Sequence, residues 1–436
     1  MGYENLFNSS RDLFEQVCAE DNLHLGFEAV KRNKGASGID GVTIEMFSEN
    51  LHREISKLAE ELRVWKYKPK PVKRVEIPKS DGKSTRNLGI PCVRDRVVQA
   101  CLKMILEPIF EPLFSENSYG FRPRRSQEQA VLAAKSFVTE GKEWVVDIDL
   151  EKFFDTISHD KLIYRIGLQV KDTRIHRLIG NILRSGVQVG NTVEKTLEGS
   201  VQGSPLSPLL SNIVLDELDK ELEKRKLSFV RFADDNNIFV RSEKAAQRIM
   251  VSITKFIESK LKLKVNQAKS KVALSKQVKF LGMTIVAGTI AISAKSMKNA
   301  HEKLKALLPT NSPVPVQKSI ERLNEWFQGW AQYHSMTQYP SQLLVIEAHA
   351  RRRLRARIVK QCKRKVNLQK RLVSFGLKRK SVAKSLFGSN GPWKLSLHLM
   401  QRAYNVAWFI ETGGQYIHSS KEYKHWFPRK KWIKLI

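Results

Sequence analysis

The chain has 436 residues, of which 42% are hydrophobic, enough for a sizeable core and two or three domains. Lys and Arg number 76 against 44 Asp and Glu, so the net charge is +32. An excess of that size attracts polyanions, which indicates nucleic acid or an anionic membrane surface as partner. No segment approaches the roughly 18 apolar residues of a membrane span, and the acidic start lacks an apolar core, so we expect an unsecreted cytoplasmic protein with no membrane partner.

The cysteines indicate neither a zinc module nor a disulfide framework. Cys18, Cys92, Cys101 and Cys362 form no C-x-x-C pair. We expect ordinary buried thiols in a reducing compartment.

Helical and strand patterns alternate over residues 1–295, without an internal repeat or a low-complexity tract. Pro and Gly mark the joins between them. This order predicts an α+β domain whose strands carry acids at their ends. The predicted helices lie near 11–32, 51–65, 93–113, 125–140, 159–185, 207–225 and 243–261, and the predicted strands near 72–77, 143–149, 228–240 and 278–292.

The segment WVVDIDLEKFFDTI begins as an apolar strand and then presents acids. The two-residue period of a strand puts Asp147 and Asp149 on the same face. Asp155 follows six residues after Asp149.

The segment SFVRFADDNNIFV (228–240) places Asp234 and Asp235 between two apolar runs, which predicts strand, turn, strand with the acids at the tip. The alternative interpretation is a solvated turn. If the segment lies beside the strand that carries Asp149, three carboxylates converge and need a cation. Oxygen-only ligands with no His or Cys nearby favour Mg²⁺ over zinc. Two such ions close together can activate an attacking hydroxyl and stabilise the departing pyrophosphate in an in-line phosphoryl transfer. Because neighbouring strand residues point in opposite directions, we expect Asp234 to be the stronger ligand.

The C-terminal third is strongly basic. Residues 296–436 hold 28 basic and 6 acidic residues, and 351–380 hold 14 basic residues and no acid. A run of basic residues is usually just a solvent-exposed face. Here no acidic residue nearby offsets the repulsion between the positive charges, which favours a surface that binds the phosphate backbone of a nucleic acid. The residues predicted to contact nucleic acid are Arg351, Arg352, Arg353, Arg355, Lys363, Arg364 and Lys365.

Eight segments resemble, in order, the sequence blocks of bacterial group II intron reverse transcriptases, also called maturases. Nearly the whole chain is covered, since the basic RRRLRARIVKQCKR and the closing GPWKLSLHLMQRAYNVAWFIETGG also resemble that family's thumb and DNA-binding tail. The eight segments are KGASGIDGV, VEIPKSDGKSTRNLGIPCVRDRVVQ, SYGFRPRRS, VVDIDLEKFFDTISHD, QGSPLSPLLSNI, VRFADDNNIFV, LKLKVNQAKSKV and FLGM.

The resemblance implies a right-hand polymerase fold of fingers and palm, followed by an α-helical thumb and a small basic C-terminal domain. The implied domains are reverse transcriptase fingers and palm over 1–295, with an N-terminal extension over about 1–70. The maturase thumb spans 296–370 and the DNA-binding domain 371–436. The family's endonuclease module looks absent, because no Cys pairs or metal-spaced His residues follow the tail.

The family's roles transfer residue by residue. Asp149, Asp234 and Asp235 match the catalytic, Mg²⁺-binding acids. The residues that match dNTP-binding positions are Lys79 and Arg86 at the triphosphate, Phe154 as a gate against the ribose 2′-hydroxyl, Gln202 and Gly203 beneath the nucleotide, and Lys269 near the triphosphate. Phe154 as plain core and Lys269 as a surface charge remain alternatives.

Three residues depart from the family pattern. Phe232 replaces the usual Tyr, which loses a hydroxyl but keeps the ring, so we expect metal binding to survive. Val201 and Asn87 each replace a common Pro, which affects loop stiffness more than chemistry. The implied partners are group II intron RNA, an RNA template with a DNA primer, dNTPs and target DNA. The alternatives are a non-catalytic RNA-binding splicing factor, or a related reverse transcriptase that serves phage defence, CRISPR adaptation or DNA repair. An RNA-dependent RNA polymerase is disfavoured by Phe154.

Overall fold

The computed structural model describes residues 12–78 and 85–411 of the chain. The chain forms two compact units, which divide between Leu274 and Ser275. Each unit contains its own cluster of buried apolar side chains. Within the described residues the first unit mixes helices and strands, whereas the second is mainly helical.

Several helices of the first unit begin where a side chain accepts a hydrogen bond from a free N–H group of the first turn. Ser126 and Gln129 form a capping box at the start of α6. The Asp172 side chain accepts a hydrogen bond from the Arg174 N–H at 3.0 Å, which starts α8 and splits the helix predicted over 159–185. The helices are α1 (Leu13–Cys18), α2 (Glu20–Asn33), α3 (Ile44–Glu49), α4 (Leu51–Arg63), α5 (Val93–Phe110), α6 (Gln127–Thr139), α7 (His159–Gln169), α8 (Thr173–Leu183), α9 (Ser207–Lys224) and α10 (Glu243–Phe256).

Within residues 12–78 and 85–411, the strands form two sheets of four and one of two. The first sheet has the order β2-β1-β4-β5, the second has the order β6-β7-β3-β8, and β9 pairs with β10. The strands are β1 (Val72–Pro78), β2 (Thr85–Ile90), β3 (Trp144–Ile148), β4 (Val187–Val189), β5 (Thr192–Glu194), β6 (Ser228–Phe232), β7 (Asp235–Val240), β8 (Lys271–Leu274), β9 (Met283–Val286) and β10 (Thr289–Ile292).

The second sheet buries one face in the core of its unit. Val146, Ile148, Phe229 and Ile238 belong to the buried apolar cluster. Because successive strand residues point to opposite faces, Asp147 and Asp149 lie on the other face. The core thereby fixes which face of this sheet carries the acids.

The second unit begins with the β9–β10 hairpin and continues as helices that share one core. Those helices are α11 (Ala294–Leu307), α12 (Val316–Tyr333), α13 (Pro340–Gln361), α14 (Lys365–Ser374), α15 (Arg379–Phe387), α16 (Pro392–Leu395), α17 (His398–Ala403) and α18 (Val406–Glu411).

The hairpin lies with the helices, which differs from the boundary predicted after residue 295. Gln338 Oε1 accepts from the Ile290 N–H at 2.9 Å. The Gln342 amide accepts from the Ile292 N–H and donates to the Ile292 carbonyl, at 2.8 and 2.9 Å. These long-range bonds join residues about 50 positions apart, which a sequence pattern does not indicate. Likewise, one core cluster spans both sides of the boundary predicted at 370/371.

Cys18, Cys92 and Cys101 are buried and unpaired, as predicted, while Cys362 is half-buried. Burial raises the pKa of the Cys18 thiol to about 12 and that of Cys92 to about 11, so both stay protonated at neutral pH. Among the helices of residues 12–78 and 85–411, none is both long and apolar enough for a membrane crossing.

Candidate active site

The Asp234–Asp235 pair lies at the tip of the β6–β7 hairpin, as predicted. The pair Phe232↔Asp235 closes a turn made of Ala233 and Asp234. Asp234 is half-buried and Asp235 is exposed. The turn is therefore shorter than the predicted Asp-Asp-Asn-Asn stretch, because Asn236 and Asn237 are already paired, buried residues of β7.

Asp149 follows directly after β3, the strand that pairs with β7. The antiparallel register is Asp147↔Asn237 and Ile148↔Asn236, so its continuation brings Asp149 opposite Asp235. The backbone of Asp149 is held in place: its N–H donates to Ser270 Oγ at 3.0 Å, and its carbonyl accepts from the Asn266 N–H at 2.8 Å. Three predicted catalytic carboxylates thus belong to one end of one sheet.

Lys269 forms an ion pair with Asp149. Its Nζ lies 3.4 Å from Asp149 Oδ1, and the two side chains are 62% and 33% exposed. An ion pair of that exposure contributes under about 1 kcal/mol to stability. Its significance is positional, since it places the predicted triphosphate lysine beside a predicted catalytic acid.

The donor set at this end of the sheet fits a hard divalent cation. Asp149, Asp234 and Asp235 offer only carboxylate oxygens, and none of the three is fully buried. Within residues 12–78 and 85–411, no three His, Cys, Asp or Glu side chains stand in the arrangement of a completed metal site. The three acids are therefore predicted ligands, and their side chains would have to close around an ion.

Asp147 lies on the same sheet face as Asp149. Burial raises the pKa of Asp147 to about 6, with Lys271 opposing and Asp149 adding to the rise. Asp147 is therefore still mostly ionised at neutral pH.

Phe154 lies in a short 3₁₀ turn over Phe153–Thr156. Its side chain is 9% exposed and belongs to the core cluster, which favours the alternative interpretation as plain core. Its carbonyl accepts from the Ser200 N–H at 2.6 Å, which ties this turn to the loop that carries Gln202. The position is thus adjacent to the predicted nucleotide loop, although the ring is largely covered.

The Gln202–Gly203 loop packs directly against β2. The Gln202 carbonyl accepts from the Gly89 N–H at 2.8 Å. Gly203 has φ +108°, and a Cβ there would stand 2.7 Å from the Gly89 carbonyl oxygen. Only glycine satisfies both the conformation and the close approach.

A cleft of about 620 Å³ opens between β2 and this loop, and it is lined by Asn87, Lys152 and Gln202 among others. Lys79 lies outside the described residues. Arg86 is on β2, where its backbone pairs with Ile77.

Sequence reasoning missed a buried ionic group behind the hairpin. Arg231 and Asp219 are both 0% exposed and ion-paired at 2.5 Å. The available signal was a lone arginine within the apolar strand SFVRF, since a charge in such a strand is rarely buried without a partner.

Comparison with known proteins places this site in a family. Residues 77–285 match the family described as "Reverse transcriptase (RNA-dependent DNA polymerase)", and residues 297–375 match "Group II intron, maturase-specific domain". The group II intron-encoded protein LtrA of Lactococcus lactis subsp. cremoris is 32% identical over 389 residues. That alignment covers 73% of this chain and 63% of LtrA. The chain belongs to the group II intron-encoded reverse transcriptases.

Two further relatives extend the comparison. Protein YkfC of Escherichia coli K12 is 36% identical over 281 residues, which cover 55% of this chain and 73% of YkfC. The putative COX1/OXI3 intron 1 protein of Saccharomyces cerevisiae is 31% identical over 310 residues, which cover 70% of this chain and 36% of that protein. The chain thus spans less than two thirds of LtrA and about a third of the yeast protein.

Family membership confirms the predicted fold class of a reverse transcriptase domain joined in sequence to a helical maturase region. Asp149, Asp234, Asp235 and the Gln202–Gly203 loop all fall inside the reverse transcriptase match. Reverse transcriptase domains work with divalent metal ions, which agrees with the carboxylate donors described above.

The maturase-specific match contains the basic residues predicted to contact nucleic acid, and the structure separates them by exposure. Lys363, Arg364 and Lys365 are exposed where α13 passes into α14. Arg351, Arg352 and Arg353 are half-buried. Each of these three has a local partner: Arg351 pairs with the Glu347 carboxylate, Arg352 lies 4.0 Å from the Trp393 ring centroid, and Arg353 Nε donates to the Leu308 carbonyl at 2.9 Å.

The structure does not support the prediction that Arg355 contacts nucleic acid. It is 5% exposed, its Nε donates to the Tyr404 carbonyl at 2.8 Å, and its guanidinium lies over the Phe409 ring. A guanidinium enclosed in this way cannot follow a phosphate chain without unfolding its surroundings. Arg355 therefore belongs to the packing of the second unit rather than to a nucleic-acid surface.

Proposed function

We propose that this chain is an RNA-directed DNA polymerase that joins dNTPs to a primer 3′-hydroxyl on an RNA template. We further propose that it binds group II intron RNA as a maturase, promoting splicing and retrohoming into target DNA. The observation that carries the polymerase proposal is the β3–β7 pairing, which brings Asp149 and Asp235 to one end of a sheet beside the Asp234 turn. That end lies within the segment that matches reverse transcriptases.

The three acids have a common role in this proposal. Asp149, Asp234 and Asp235 would hold two Mg²⁺ ions, which would supply activation of the primer hydroxyl and stabilisation of the departing pyrophosphate. Asp234, in the turn itself, would be the main ligand of the hairpin, and Asp235, opposite Asp149 on the same sheet face, would be the second. Lys269, held 3.4 Å from Asp149, neutralises charge on the leaving pyrophosphate.

The incoming nucleotide is placed by the surrounding loops. Gln202 and Gly203 lie beneath the base pair, and the absence of a side chain at Gly203 lets this loop pack against Gly89 of β2. Lys79 and Arg86 bind the triphosphate, to which an arginine fork is well suited. The fixed positions of the Gln202 loop and of the Asp149 backbone orient primer and nucleotide for in-line attack.

Primer extension tests the polymerase proposal directly. A DNA primer annealed to RNA should be extended by the purified full chain with dNTPs in Mg²⁺, and far less with NTPs. No incorporation, with tight RNA binding retained, would favour a non-catalytic RNA-binding splicing factor.

Phe154→Val tests whether Phe154 selects deoxyribose. If the ring closes against a ribose 2′-hydroxyl, the variant should lose roughly 10- to 200-fold of the dNTP-over-NTP preference in kcat/KM, the range for a steric pocket contact. Phe110→Leu, at a buried aromatic of α5, is the control and should keep the wild-type preference. Equal preference in wild type and Phe154→Val, with a lower melting temperature, would support the core interpretation.

The exposed residues Lys363, Arg364 and Lys365 should contribute to RNA affinity through phosphate contacts. Their joint replacement by Gln is expected to weaken binding of a group II intron transcript and to lower the slope of log Kd against log salt by about 2 to 3, since each neutralised phosphate contributes roughly 0.7 to 0.9. Fluorescence anisotropy over a salt series measures both quantities.

A charge-matched control is available on α10, where Lys244, Arg248 and Lys255 are also exposed. Replacing these three by Gln should change the slope far less. Equal effects of the two triple variants would show that net charge, and not the α13–α14 surface, determines binding.

A further inference from the structure

A buried polar network lies directly behind the hairpin that carries Asp234 and Asp235. Arg231 Nε donates to both carboxylate oxygens of Asp219 on α9, at 2.8 and 3.0 Å, and Nη2 donates to Oδ2 at 2.5 Å. Both residues are fully buried. Because an ion pair loses its hydration when it is buried, such a pair is weak evidence for a contribution to stability. Its position beneath the hairpin indicates a different role.

The same guanidinium reaches the turn itself. Arg231 Nη1 donates to the carbonyl of Ala233 at 2.9 Å and to Asn212 Oδ1 at 2.9 Å. The Ala233 carbonyl belongs to the peptide that joins Ala233 to Asp234. Ala233 has φ +56°, a conformation that a residue with a Cβ adopts only where its surroundings hold it. Arg231 therefore fixes the orientation of the peptide that carries Asp234.

A second chain segment, residues 117–120, also holds the β6–β7 hairpin in place. The Arg231 N–H donates to the Asn117 carbonyl and the Tyr119 N–H donates to the Arg231 carbonyl, both at 2.9 Å, so β6 pairs with residues 117–119. Asn212 Nδ2 donates to the Gly120 carbonyl at 3.0 Å.

Gly120 itself lies against the turn. A Cβ on Gly120 would stand only 2.2 Å from the Ala233 nitrogen. The Tyr-Gly pair of the motif SYGFRPRR therefore has a structural role, because it packs against the hairpin that carries Asp234 and Asp235.

We infer that Arg231 is a positioning residue for the proposed polymerase reaction, and that with Asp219, Asn212 and Gly120 it locks the Ala233–Asp234 peptide. This inference rests on the proposed function. The network contacts no substrate; it acts through the backbone of the acidic turn. Its chemistry requires arginine, because one guanidinium donates to three separate partners, Asp219, Asn212 and the Ala233 carbonyl, and a lysine ammonium cannot reach all of them.

Arg231→Lys tests the inference, since it keeps the buried positive charge opposite Asp219 but loses the fork. We expect kcat for primer extension to fall at least 10-fold, while KM for dNTP and Kd for the primer–template stay within about threefold of wild type. Arg165→Lys is the matched control: Arg165 also pairs with a carboxylate of α9, that of Glu217, and donates to a backbone carbonyl, that of Val214 at 3.0 Å. The control should keep kcat within about twofold, whatever its melting temperature.

Amide hydrogen exchange provides a readout that does not depend on activity. The amides of peptides that cover residues 228–240 should exchange faster in Arg231→Lys than in wild type. In Arg165→Lys their exchange rates should equal those of wild type. If Arg231→Lys fails to fold, Gly120→Ala replaces it: the added methyl group pushes on the Ala233 nitrogen from outside the ion pair, and both kcat and hairpin exchange should change in the same way.

The outcomes distinguish failure of the proposed function from failure of the positioning role of Arg231. Wild-type protein that extends no primer contradicts the proposed function, whereas active wild type with full-rate Arg231→Lys or Gly120→Ala overturns the positioning role. Wild-type exchange over 228–240 in these variants also overturns it, with or without polymerase activity. Loss of kcat in Arg231→Lys and Arg165→Lys alike would assign Arg231 to general stability and would likewise overturn the inference.

Discussion

Asp149→Asn is expected to reduce the rate of primer extension by at least about a thousandfold, with RNA binding preserved. Asparagine keeps the size of the side chain but removes the charge with which Asp149 would bind a metal ion, and such electrostatic contacts are worth several kcal/mol in a transition state. Stability should change little, because the backbone of Asp149 is held by Ser270 and Asn266, and its ion pair with Lys269 is largely exposed. Single-turnover extension and thermal unfolding measure the two properties.

The matched control for this substitution is Asp160→Asn. Asp160 is an exposed acid in the first turn of α7, in the same compact unit. It should retain extension within about twofold. If Asp149→Asn keeps more than a tenth of the wild-type rate, Asp149 is not a metal ligand in the reaction.

Gly203→Ala is expected to lower kcat/KM for dNTP by roughly 100-fold. The alanine would have to adopt φ +108° and would bring a methyl group to 2.7 Å from the Gly89 carbonyl oxygen. Strained backbone of this kind costs of the order of 1–3 kcal/mol, and relief requires the Gln202 loop to move away from β2. Steady-state kinetics with varied dNTP measures the loss.

Gly190→Ala is the control that separates the cost of a strained backbone from the effect of displacing the Gln202 loop. Gly190 also has a positive φ, +59°, but no atom of the described residues lies within 4 Å of the point where an added methyl group would stand, so only the conformational cost applies. We expect near wild-type kinetics for this variant. Similar losses in both variants would mean that the Gln202 loop has no special role.

The elements with long periodic patterns were predictable, and the short ones were not. The strand over 143–149 and the hairpin over 228–240 are found close to their predicted bounds as β3 and β6–β7. By contrast β4 and β5 have three residues each, too few to show a period of two, and the sequence does not reveal them. The pairing of β3 with β7, which assembles the acids, depended on tertiary structure.

The turn residues illustrate why local propensity fails at this site. Asp and Asn favour turns, so the sequence predicted Asp-Asp-Asn-Asn as the connection. The structure places Ala233 in the left-handed region instead, because the Arg231 guanidinium and Gly120 hold the peptide from two sides. Both partners come from outside the turn, and a local pattern contains no information about them.

Charge counts likewise do not reveal the direction of each side chain. Residues 351–380 hold 14 basic residues, yet Arg355 and Arg357 lie in the stretch 354–358 of α13, whose five consecutive residues are all buried. Arg357 reaches Ser319 Oγ at 2.6 Å and Arg355 reaches the Tyr404 carbonyl, both far along the chain. The two positions lie on different sides of the helix, so helical periodicity does not flag both, and their carbonyl and hydroxyl partners could only be found in the fold.

The most direct test of the polymerase proposal compares wild type with Asp234→Asn in Mg²⁺-dependent extension of a DNA primer on an RNA template. Binding of the primer–template is measured on the same samples. The proposal predicts dNTP incorporation by wild type, loss of at least about a thousandfold in Asp234→Asn, and equal binding by both proteins. Absence of incorporation by wild type that binds the RNA normally, or equal extension by both proteins, would contradict it.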